Sequence, residues 1–101
     1  MQEKRTHPRV AIDFTVRCEL KDGASFEGVA KDISLGGMFV ESSHAPPPFG
    51  SQITIIGELP GSGSSARLPA IVRWTKPGGL GVQFGLLGAR ETHAITKLLR
   101  G

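Results

Sequence analysis

The sequence predicts an all-β (mainly β) fold, a small six-stranded antiparallel barrel followed by a short C-terminal α-helix. Three observations carry this expectation. Six short segments alternate apolar and polar residues with the period of a half-buried strand. Clusters of Gly, Asp, Pro and Ser separate them at short intervals. Near the C-terminus the apolar period changes to that of a helix. Closure into a barrel is favoured over an open sandwich because it removes exposed strand edges.

The first strand is VAIDFTVRCEL at 10–20, with Val10, Ile12, Phe14, Val16, Cys18 and Leu20 on one face and polar residues on most of the other. Asp22-Gly23 is a hairpin signal, and the chain returns as a second strand over 26–33. A short third strand occupies 37–42 around Met38, Phe39 and Val40. The loop SSHAPPPFGS comes next, stiffened by three consecutive prolines that favour an extended connection over a recognition ligand. QITIIGEL at 52–59 is the fourth strand, and GSGSS at 61–65 is a flexible loop. That loop lacks the Gly-Lys-Ser/Thr of a phosphate-binding loop. The fifth strand, 66–75, places Leu68, Ala70, Val72 and Trp74 on one face, so Trp74 reads as packing rather than a stacking platform; Arg67 and Arg73 read as surface charge on the other. KPGG turns the chain into LGVQFG at 80–85. In 89–100, Ala94, Ile95, Leu98 and Leu99 match helical spacing. A helix this short needs a packing partner, either the barrel or another chain.

Composition narrows the function classes. At 101 residues the chain suits one domain with one modest core. No apolar run approaches a membrane span, and the polar start MQEKRTHPR lacks a signal-peptide pattern. A cytoplasmic protein without membrane insertion is the expectation. Cys18 is the single cysteine and reads as a buried thiol. His7, His44 and His93 lack metal-ligand spacing. No nucleophile elbow or cysteine–base pairing is evident, so no enzyme is expected. The net charge of +3 favours an anionic partner.

Two stretches carry chemistry. Arg5 and Arg9 lie in the N-terminal segment, and Pro8 disfavours helix there. This segment is either a solvated terminus or an arm whose guanidiniums grip phosphate or a guanine edge. DISLGG at 32–37 combines Asp32, Ser34, Gly36 and Gly37. In an extended strand Asp32 and Ser34 would face the same way. The glycines would admit a ligand to the backbone or supply a positive φ. The stretch is either a turn with side-chain bonds to its own backbone or half of a binding site. The arm and the turn together offer donors and acceptors that suit guanine and phosphate.

Arg-x-x-x-Arg (Arg5, Arg9) followed by Asp-x-Ser-x-x-Gly (Asp32, Ser34, Gly37) resembles the PilZ domain family, as does IVRWTKPGGLGVQF at 71–84. The resemblance covers nearly the whole chain. It implies a single PilZ domain over 1–101, with a ligand-clasping arm at 1–9, a barrel at 10–86 and a helix at 87–101. The implied ligand is the bacterial second messenger cyclic di-GMP, with no cofactor. Arg5 and Arg9 would clasp guanine and phosphate, Asp32 would read a guanine edge, Ser34 would bond phosphate or guanine, and Gly37 would shape the turn. Lys4 and Gly36 would border the site. In the family the residue before the first arginine bears on ligand stoichiometry. Lys4 supplies charge without a planar fork, and one ligand or a stacked pair both fit. The implied output is a conformational signal to an unidentified effector protein, in motility, pilus or exopolysaccharide control, from a monomer or homodimer. Two further readings stand beside this one. The first is a PilZ-like protein–protein interaction module that does not bind the nucleotide. The second is a barrel binding single-stranded nucleic acid, disfavoured because aromatics are only 6% of the chain.

Overall fold

The structure, a computed structural model, describes residues 9–61, 63 and 65–100. Six strands, β1 (Val10–Leu20), β2 (Ser25–Ile33), β3 (Gly37–Glu41), β4 (Gln52–Glu58), β5 (Ser65–Lys76) and β6 (Gly79–Phe84), precede the helix α1 (Ala89–Arg100). The strands form a closed barrel in the order β1-β2-β3-β6-β5-β4, every pair antiparallel. The last strand, β6, is thus inserted between β3 and β5.

The period-two pattern determines what lies inside. Val16, Cys18, Ala30, Ile33, Met38, Val40, Ile55, Leu68, Val72 and Leu80 are almost fully buried. Ile95 of α1 joins the same core at 0% exposure, with Leu98 and Leu99 packed against it. The helix therefore packs on the barrel rather than awaiting a partner chain. Burial pushes the Cys18 thiol pKa up to about 12, because desolvation disfavours the thiolate.

The turns use the residues expected of them. Gly23 and Gly78 take positive φ in the β1–β2 and β5–β6 turns. The β3–β4 loop is stitched to β5, with the Gly50 amide donating to Val72 O and the Val72 amide to Ser51 O. Ser42 also anchors that loop, its hydroxyl donating to Glu27 O and accepting from the His44 amide.

The register shifts at three places, one between Ala11 and Phe14 of β1 and two that position the outer face of β2 and β5. The β5–β6 register shifts between Val72 and Trp74, and the β2–β3 register shifts between Ala30 and Asp32. Each extra residue rotates the remainder of its strand onto the opposite face of the sheet.

Candidate functional site

The β5 bulge corrects the expected place of Trp74. Strict alternation puts it on the inner face with Val72. With Arg73 as the extra residue, Arg73 and Trp74 both lie on the outside, and Trp74 is 45% exposed. The β2 bulge acts likewise at Lys31 and leaves Asp32 half-exposed, while Ala30 and Ile33 stay inside.

The two bulges bring one lateral row of residues into register across five strands. Ala11 pairs with Asp32, Asp32 with Phe39, Phe39 with Gly81, and Gly81 with Trp74. Phe39 and Trp74 stack with ring centroids 5.4 Å apart and planes 10° from parallel. They can do so because β6 is bare beneath them. A Cβ on Gly81 would collide with the Trp74 indole, and one on Gly79 with the Phe39 ring. The Lys76 ammonium sits 5.0 Å from the Phe39 ring centroid, a cation–π contact.

Arg9 closes the other end of the row. Its guanidinium donates to Asp32 Oδ1 at 2.6 Å, and both side chains stay about a third exposed (36% and 32%). An exposed pair of this kind contributes on the order of 0–1 kcal/mol, so separating it costs little. Arg9, Asp32, Phe39, Trp74 and Lys76 line an open groove of about 310 Å³. The groove offers a carboxylate acceptor, two cations and an aromatic wall. That set can hydrogen-bond a base edge, stack on its face and neutralise a phosphate.

The remaining expected residues are placed differently. Lys4 and Arg5 lie outside the described residues. Ser34 does not share a face with Asp32, because the strand ends at Ile33 and the chain turns inward. Ser34 is 3% exposed, and its hydroxyl accepts hydrogen bonds from the Gly36 and Gly37 amides at 3.1 and 3.2 Å. Its own amide donates to Gly37 O. Neither Gly36 nor Gly37 takes a positive φ. Gly37 instead permits close strand pairing, since a Cβ there would strike the Val82 carbonyl oxygen. The Gly36 carbonyl accepts from the Phe84 amide. In this structure DISLGG is therefore a turn built on Ser34 that carries Asp32 at its rim.

Phe39, Trp74 and Lys76 are the groove residues that sequence reasoning missed. The pair Gly79 and Gly81 was the available signal. Two glycines at spacing two on one strand strip one face of side chains, and something must cover it.

Comparison with known proteins gives the family. The sequence model of the PilZ domain matches residues 3–101. The chain belongs to the PilZ domain family. Its structure is similar to the PilZ domain of CeSA from a cellulose-synthesising bacterium (TM-score 0.75, 23% identity, 93% of this chain and 96% of that one). It is also similar to the PilZ domain of YcgR from Escherichia coli, solved with c-di-GMP (TM-score 0.79, 14% identity, 97% and 90%). A third similar structure is the Bacillus subtilis inhibitor of motility MotI/DgrA (TM-score 0.78, 17% identity), with 98% of this PilZ chain covered and 51% of that one. At these identities the likeness is one of fold. No curated protein matches the chain. No helix among the described residues is long and apolar enough to cross a membrane.

Proposed function

We propose that this PilZ domain is a receptor for cyclic di-GMP that binds in the groove between Arg9 and Trp74. PilZ domains are receptors for this nucleotide rather than enzymes, and similar structures were solved with it bound. The observation that carries the reading is the lateral row, which holds a carboxylate, a guanidinium and an exposed indole side by side. Asp32 accepts from the N1–H and N2 amine of one guanine. A guanine face stacks on Trp74, itself backed by Phe39. Arg9 and Lys76 neutralise phosphate. Arg5 completes the clasp from the N-terminal arm.

Ser34 takes a supporting role in this reading. Its hydroxyl fixes the turn from which Asp32 projects. The filled groove then forms the surface that an effector protein reads.

Calorimetric titration with cyclic di-GMP, with GTP as control, tests the proposal. Selective binding is expected. Arg9→Ala should weaken it roughly 10- to 100-fold, the scale of a lost charge-assisted hydrogen bond. Absence of binding by a folded sample would overturn the receptor reading in favour of an interaction module.

A further inference from the structure

We propose that the outer face of α1 docks an acidic segment of another protein. The helix carries Arg90, His93, Lys97 and Arg100, all exposed. At 100° per residue they fall within about 80° of its circumference. Ile95, Leu98 and Leu99 turn the opposite side into the barrel. Glu91 is the only acid of the helix, and its carboxylate is folded beside Gly88 at the N-terminal end.

The segregation works against the helix on its own. Lys97 and Arg100 are neighbours at a spacing of three, where groups of one charge repel, and Arg90 lies two turns before Lys97 on the same face. Lys97 and Arg100 suit the negative end of the helix dipole, but Arg90 in the first turn opposes the positive end. Among the described residues none of the four is in an ion pair; those pairs join Arg9, Lys31 and Arg67 to carboxylates of the barrel. In this proposal the complementary charge comes from the partner.

The shape of the face indicates an acidic protein segment. The stripe runs about 15 Å, ten residues at 1.5 Å each, a length that two or three turns of a partner helix would match. Beside it a slot of about 160 Å³ opens between α1 and the start of β5, floored by the small residues Gly61, Ser65, Ala66 and Ala94 and walled by Glu91 together with Arg90, His93 and Lys97. It has room for one partner side chain. A duplex-binding surface spreads more cations over more phosphates. A membrane-surface helix keeps large apolar residues beside its basic stripe, whereas here they are committed to the core.

This surface is independent of the ligand groove. Eight residue steps of β5 separate Ala66 at the slot from Trp74, about 26 Å at strand rise. Charge reversal on α1 should therefore leave nucleotide binding unchanged.

The test is an NMR titration of the full chain with a synthetic helical peptide bearing Glu at every third and fourth position. Amide shifts confined to α1 and the slot, fading with added salt, are expected. The double variant R90E/K97E should bind at least tenfold more weakly. A control reversal of equal charge on the barrel, R17E/K21E, should bind as the wild type does. Thermal melts of both variants confirm that they fold. Equal loss in the control, tighter binding to duplex DNA or to phosphatidylglycerol vesicles, or no shift on α1 would overturn the proposal.

Discussion

Trp74 is the only tryptophan of the chain, and it stands in the groove rather than the core. Its fluorescence therefore reports on the site directly. Cyclic di-GMP should quench or shift it, and Trp74→Ala should weaken binding roughly 5- to 100-fold, the range of a lost base–aromatic stack, with little effect on thermal stability. Asp32→Asn keeps the shape but replaces a charged acceptor. It should cost ligand affinity and release Arg9 while leaving the melt nearly unchanged, as expected for an exposed pair. Cys18 makes the opposite kind of prediction. Its folded pKa is raised above the unfolded value of 9.0 to about 12 by burial. Its contribution is thus fully present below pH 9 and lost as pH rises toward 12. Relative to Cys18→Ala, the wild type should lose stability over that window in denaturant melts. Thiol reagents at neutral pH should label Cys18 only as the chain unfolds.

Among the elements, β6 has two duties. Leu80, Val82 and Phe84 face the core, while Gly79 and Gly81 leave room outside for Phe39 and Trp74. Gly81→Ala should fold, yet displace the indole, changing its fluorescence and weakening the ligand in step. Gly37→Ala meets backbone instead of a movable ring, and should destabilise the barrel by about 1–3 kcal/mol, the usual scale of overpacking. All six strands, the helix and their approximate ends are legible in the sequence, because period-two burial and turn residues state them locally. The bulges are not. At Val72-Arg73-Trp74 nothing in the local pattern marks the extra residue, since its presence depends on how β5 pairs with a strand across the turn. The site inherits that blindness. The spacing within DISLGG and of Arg5 and Arg9 singles out Asp32 and Arg9, but alternation puts Trp74 on the wrong face, and it points Ser34 outward although the strand has already ended.

For the whole molecule, α1 connects stability to exposure. Ile95 is completely buried against the barrel, so Ile95→Ala should cost about 2–5 kcal/mol and loosen the helix without touching the groove. Hydrogen exchange should show faster exchange along 89–100 in that variant, with strand amides protected almost as before. On the two proposals above, the barrel presents two separated surfaces, one for a small anionic nucleotide and one for an acidic protein. The strand order has a consequence for biosynthesis. The groove is paved by β2, β3, β5 and β6, and β6 enters last, between two strands already made. A nascent chain that has not yet emerged past Phe84 has no continuous floor beneath Phe39 and Trp74. If the groove is the receptor site proposed above, truncated products and stalled translation intermediates would not compete for the nucleotide.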